Sequence, residues 1–206
     1  VKAVLDELGG KWVVIINLQD LSDIQEKIVT NILSESLLDE RRALQNRDPS
    51  ELGRKPIVLL VLEEALSVLG QSILKRGDNV FTHIVREGRK FRVGLLPVVQ
   101  IPRRLDEDVA SQLNTNIILG TAQQADRAFI AESAQQDLVT LLNEMKMLDI
   151  GEALISFPAE VPFPLPVKIF HFNEYAEKIS GTPSITPARK EVKTSKTEVN
   201  VAPPSL

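Results

Sequence analysis

The chain contains no cysteine. That excludes a disulfide framework and any thiolate metal site, and it fits a reducing compartment without requiring one. Aromatic residues are scarce, at 4% with one Trp and one Tyr. A row of rings for stacking single-stranded bases is therefore poorly supported, and Trp12 reads as core or interface. There is no excess of positive charge. The formal net charge is −4, so the global basic footprint of many nucleic-acid binders is missing. No apolar run approaches the roughly 20 residues that a membrane-spanning helix needs. The two histidines, His83 and His171, have no ligand partner at metal spacing and read as structural. The opening Val1-Lys2-Ala3 has no Met and no signal-peptide pattern. It reads as a cut end, and the expected location is the cytoplasm.

What is present is 206 residues, 43% of them hydrophobic and 25% charged. That composition is globular and large enough for a core. The stretch around which the chain is organised is Pro56-Ile57-Val58-Leu59-Leu60-Val61-Leu62-Glu63-Glu64-Ala65. An unbroken apolar run suits a strand buried on both faces of a parallel sheet. Two carboxylates follow where the strand should end, and open α/β sheets hold their ligands at the carboxyl ends of strands. An acidic pair there can hold a hydrated magnesium ion and polarise water for attack on a phosphate. Apolar strands followed by Glu are common, so a core strand with a solvated exit fits the pattern about equally well.

Around it the chain alternates. Trp12-Val13-Val14-Ile15-Ile16-Asn17 reads as a buried strand. Ser22 and Gln25 form a Ser-x-x-Gln capping box, which starts a helix over 22–44 with Ile24, Ile28, Ile32 and Leu37 near one face. A loop over 46–50 leads to the central strand, completing a βαβ unit. A helix interrupted at Gly70, a helix capped by Asn79, and a strand over 91–100 strained by Pro97 come next. A short helix from Asp106, a strand over 116–119 and helices over 122–134 and 137–147 follow. Segments 152–157 and 167–172 can pair as an antiparallel hairpin across a proline-rich connection. From 181 on there are four prolines and no aromatics, a composition that cannot bury its own core. Asn17, Glu63 with Glu64, and Gln100 would gather along one edge of a parallel sheet. No Gly-x-x-x-x-Gly-Lys-[Ser/Thr] occurs in the chain, so it lacks a phosphate-cradling loop.

Five motifs then fall in one order: Val61-Leu62-Glu63-Glu64-Ala65, Arg86-Glu87-Gly88-Arg89-Lys90-Phe91-Arg92-Val93-Gly94, Val99-Gln100-Ile101-Pro102, Ser111-Gln112-Leu113-Asn114-Thr115 and Gly151-Glu152-Ala153-Leu154. Over about 12–172 this resembles the C-terminal part of the RecA-like motor domain of HerA, the archaeal hexameric DNA translocase of the HerA/FtsK superfamily. The resemblance implies an α/β fold of the P-loop NTPase type: a mostly parallel sheet with flanking helices, a terminal β-hairpin and an extended tail. It implies a motor part over 1–180 and a Pro/Lys/Thr-rich tail over 181–206. The implied activity is ATP-driven translocation on double-stranded DNA in end resection and double-strand break repair. ATP and Mg2+ would be the cofactors, and a homo-hexamer and a NurA-type nuclease the partners, with no membrane.

The resemblance also assigns roles. Glu64 matches the acid that orients the attacking water, and Glu63 its neighbour near the magnesium shell. Arg89 matches the arginine finger given to a neighbouring subunit, and Gln100 the polar sensor. Leu66 stands where many relatives have His, and Ile101 where many have Arg. Arg103 and Arg104 could meet DNA phosphate, although an exposed loop pair explains them as readily. Arg89, Lys90 and Arg92 also suit a helix C-terminus by charge alone. A conjugative coupling or VirB-type ATPase, and an inactive module that assembles rings or docks a nuclease, stay open as other readings.

Overall fold

The computed structural model describes residues 13–75, 77–172 and 175. By backbone contacts the chain divides at Ile169 and Phe170, and the elements below all belong to the first unit. The expected tail over 181–206 lies outside the described residues, as does Trp12.

Helix α1 spans Asp23–Arg47. The Gln25 carboxamide oxygen accepts from both the Ser22 N–H, at 3.0 Å, and the Ser22 hydroxyl, at 2.9 Å, so the expected start is correct. Its second half packs through Ser34, Leu37, Leu38, Arg41 and Leu44. Its first half does not. Ile24, Ile28 and Ile32 are exposed at 72%, 52% and 47%, so the face expected to carry them with Leu37 is open along its first half. The segment Val13 to Asn17 is also not a strand. Strand backbone needs a partner for its N–H and C=O groups, and none of the described strands pairs with this segment. The expected βαβ unit therefore lacks its first strand. The expected loop over 46–50 is largely helical as well. Asp48 ends α1 and caps α2 (Pro49–Arg54), its Oδ1 accepting from the N–H groups of Ser50 and Glu51.

Strand β1 (Val58–Leu62) and strand β2 (Val93–Pro97) form a parallel pair with Val58 opposite Val93 and Leu62 opposite Pro97. Pro97 is tolerated at the last paired position because the bond to Leu62 O comes from the Val98 N–H, at 2.9 Å, and not from Pro97 itself. Among the described residues one face of the pair is covered: Val58 and Val93 are buried, while Leu59 and Val61 are more than half exposed. The expected burial on both faces is thus corrected. Between the strands lie α3 (Leu66–Leu69), α4 (Gln71–Leu74) and α5 (Val80–Glu87). Asn79 Oδ1 caps α5 by accepting from Phe81 and Thr82 N–H at 3.0 and 3.2 Å. A 3-10 turn, Gly88–Phe91, joins α5 to β2. The core here is Leu37, Leu38, Val58, Val68, Leu69, Phe81, Ile84 and Val93, with Val109 from α6 (Glu107–Gln112).

The remaining strands form their own sheet. Strand β3 (Asn116–Ile118) pairs antiparallel with β4 (Glu152–Ser156), and β4 with β5 (Leu165–Lys168). The expected terminal hairpin is present, with its second strand at Leu165–Lys168 in place of the expected 167–172, whereas β3 joins it rather than the parallel pair. Helices α7 (Gln124–Ser133) and α8 (Leu142–Met147) bring Ala131 and Met145 to a second core with Ile118, Leu138 and Leu154.

Candidate functional site

Glu63 and Glu64 follow β1 directly, in a turn, and both are exposed. Glu64 has φ +50°, a left-handed conformation that costs an L-residue roughly 1–2 kcal/mol. The turn is held by the Ala65 N–H donating to Val98 O at 3.1 Å and the Ser67 N–H donating to Glu64 O at 3.0 Å. The Val98 N–H donates to Leu62 O at 2.9 Å, so the segment after β2 lies against the acidic turn. Gln100, exposed, follows two residues on. Glu63, Glu64 and Gln100 thus share the carboxyl end of the parallel pair. Asn17, expected at the same edge, is not on a strand.

Arg89 is elsewhere. It lies exposed in the 3-10 turn that precedes β2, at the amino end of the same pair. Five strand residues separate the two ends, about 16 Å at 3.3 Å per residue. Gly88 sets this turn: a Cβ there would sit 2.4 Å from Val93 O, a contact no larger residue can make. Arg92, the other described non-glycine residue with positive φ, at +58°, closes the turn, and its carbonyl accepts from Val58 N–H at 3.0 Å.

The Pro102–Arg104 turn carries the two arginines considered for DNA. Arg103 is engaged within the chain. Its Nη1 donates to Gln123 Oε1 at 2.7 Å, its backbone N–H donates to Asp126 Oδ1 at 3.3 Å, and its Nε lies 3.9 Å from the same oxygen. Asp126 is buried, so this is a tie between the Pro102–Arg104 turn and α7. Arg104 is exposed. Sequence reasoning missed Asp126 and Gln123, because a single acid in a polar helix gives no signal of its distant partner. A second tie joins the two loops themselves: Gly70 bridges Leu105, and the Asp106 N–H donates to Leu69 O at 3.1 Å.

Among the described residues no three His, Asp or Glu side chains converge as a metal site; at the carboxyl end of the parallel pair stand the two adjacent carboxylates Glu63 and Glu64. That suits Mg2+, which keeps most of its water shell and needs one or two carboxylates beside substrate phosphates. No described helix is long and apolar enough to cross a membrane.

Comparison with known proteins agrees with the motifs. No protein-family model matches the chain. The DNA double-strand break repair helicase HerA of Sulfolobus acidocaldarius is 33% identical over 183 residues, covering 86% of this chain and 36% of that protein. HerA of Pyrococcus furiosus is 36% identical over 125 residues, 61% of this chain and 22% of that protein. The chain thus spans about a third or less of the length of these curated relatives. Among solved structures, the genome packaging NTPase B204 from Sulfolobus turreted icosahedral virus 2, in complex with ATP-gammaS, superposes with a TM-score of 0.56 at 15% identity. The match covers 81% of this chain and 72% of that one. The fold is that of a P-loop NTPase, α/β with a parallel pair and flanking helices.

Proposed function

We propose, for a chain that is a relative of the HerA helicases over most of its length, that it carries the catalytic-acid part of an ATP-driven motor on double-stranded DNA. The motor works as a homo-hexamer in end resection and break repair, beside a NurA-type nuclease. Residues 1–180 belong to the motor domain and 181–206 to an appended tail. Glu64 orients and polarises the attacking water. Gln100 reads the γ-phosphate from the adjoining loop. Glu63 and Glu64 would hold Mg2+ through its water shell, where the ion supplies charge neutralisation for the phosphates. Arg89 serves the site of a neighbouring subunit, where a planar, permanently charged guanidinium bridges phosphate oxygens. Arg104 is a candidate for DNA phosphate. Arg103 is a weaker one, because Gln123 already occupies it.

One observation carries the reading: Glu64 and Gln100 sit at one end of the parallel pair and Arg89 at the other. The separation of about 16 Å is too long for Arg89 to serve its own Glu64, so the geometry favours a finger acting between subunits. An inactive assembly module has no need of a strained carboxylate at the end of β1.

The test mixes two variants of the whole subunit. Glu64→Gln keeps the side chain's size but cannot polarise water, and its turnover should fall by about two to four orders of magnitude. Arg89→Ala should fall by about three to five orders. Co-assembled, the two variants create interfaces with an intact Glu64 on one subunit and an intact Arg89 on the next, so part of the ATPase returns. Mixed rings that form and stay inactive reject the trans assignment.

A further inference from the structure

Arg41 projects from the covered face of α1 and is 6% exposed, yet its Nη1 is buried without a hydrogen-bond partner. The Nε of Arg92 is in the same condition. The helix carrying Arg41 lies over the turn that ends in Arg92: the Arg42 guanidinium stacks on the Phe91 ring with 5.5 Å to its centroid. The two guanidinium groups feel each other. Burial holds the Arg41 group below its ordinary value, Glu40 opposes that, and Arg92 adds to it. Nearby carboxylates are engaged elsewhere, Asp39 with Arg42 at 3.5 Å and Glu87 with Lys90 at 3.7 Å. Among the described residues, no carboxylate lies within 4 Å of Arg41, Arg89 or Arg92.

Two neighbouring like charges, with donors buried and unmatched, are costly as they stand. A bound oxyanion would remove both defects, because guanidinium forks match phosphoryl oxygens in pairs. Arg92 is only half-buried, so the pair reaches the surface through it, beside the exposed Arg89 and Lys90. We propose that Arg41 and Arg92 form a binding site for a phosphoryl oxyanion, distinct from the carboxyl-end site of Glu64 and Gln100. The site does not rest on the motor reading. A chain with no ATPase activity would bind the anion equally well.

The experiment follows the arginine Nε–H signals of the whole protein by 1H–15N NMR, assigned through Arg41→Met and Arg92→Asn. Asn tolerates the left-handed backbone at that position. Inorganic phosphate and tripolyphosphate are titrated at constant ionic strength against chloride, and a short DNA duplex forms a separate arm. The Arg41 and Arg92 signals should move together and saturate in the low millimolar range or below. The arm that saturates at lower concentration identifies a nucleotide-type or a nucleic-acid phosphate. The Arg41 response should be at least tenfold weaker in Arg92→Asn. In chloride, Arg41→Met should melt at or above the wild-type temperature, because it removes an unmatched buried charge and keeps the apolar stem. Signals that ignore every phosphate up to 50 mM overturn the proposal, as does an Arg41 response undiminished in Arg92→Asn. A melting temperature of Arg41→Met well below wild type also overturns it, because Arg41 would then be matched within the fold.

Discussion

The left-handed backbone at Glu64 makes an unusual demand on its neighbours on the substitution scale. In most positions Ala is more stabilising than Gly, because Gly leaves a more disordered unfolded chain. At φ +50° the order should reverse. An L-side chain in this region costs roughly 1–2 kcal/mol that Gly does not incur. Against that, Ala gains about 0.4–1 kcal/mol over Gly through the unfolded state. Glu64→Gly should therefore be more stable than Glu64→Ala by about 0.5–1 kcal/mol. The Glu64 side chain is exposed and removing it costs little in either variant, so the difference isolates the backbone. At Ser67, exposed in the helix three residues on, Ala should exceed Gly by about 1 kcal/mol in the usual direction. For a chain of this size the Glu64 pair should separate by about 1–4 °C in melting temperature. Calorimetry or circular dichroism on the four variants reads both differences. Equal melting temperatures for the Glu64 pair, or Ala above Gly there, would mean that the turn is not strained and that its geometry says nothing about catalysis.

Gly88→Ala should lower stability by about 1–3 kcal/mol through overpacking, since its Cβ would meet Val93 O at 2.4 Å; an unchanged urea midpoint would show that the turn carrying Arg89 has slack. Asp48→Ala should destabilise the junction of α1 and α2 by removing a cap. The Asp48 carboxyl is held below its usual range, first by the Ser50 hydroxyl and then by the Glu51 amide. A lowered folded value means that the cap's contribution is present above the ordinary carboxylate range and is lost as pH falls through the lowered value. The gap between wild type and variant should therefore narrow in acid, and a gap that widens there would reject the cap.

The sequence was most readable where local chemistry decides the outcome. Ser22 with Gln25, Asn79 and Asp106 each marked a helix start because a short polar side chain satisfies N–H groups only a few residues away. Glu63, Glu64 and Gln100 were legible because a strand's direction fixes which end its exit residues share. The failures lie where a partner decides. Val13 to Asn17 has strand composition, but no described strand pairs with it. Ile24, Ile28 and Ile32 keep helical spacing with Leu37, yet spacing reports which residues share a face, not whether anything covers it. Arg41 did leave a signal. It stands four residues after Leu37 and three before Leu44, on the apolar side of α1, where a charge calls for an explanation.

The apolar interior is divided. Leu38, Val93 and Phe81 belong to one cluster, and Leu138, Met145 and Leu154 to another. What runs between them includes the polar link from Arg103 to Gln123 and Asp126. Apolar contact is indifferent to small slips, whereas a guanidinium–carboxamide contact is directional and fails when its angle is wrong. The link therefore adds a directional contact to the apolar one that α7 makes, with Phe129 against the first cluster and Ala131 in the second. Softening of one cluster is thus felt by the other through α7, and how far the two open together is set by that helix. A ligand that stiffens the acidic turn at Glu64 then raises the melting of the antiparallel hairpin only as far as this helix and its polar link transmit it.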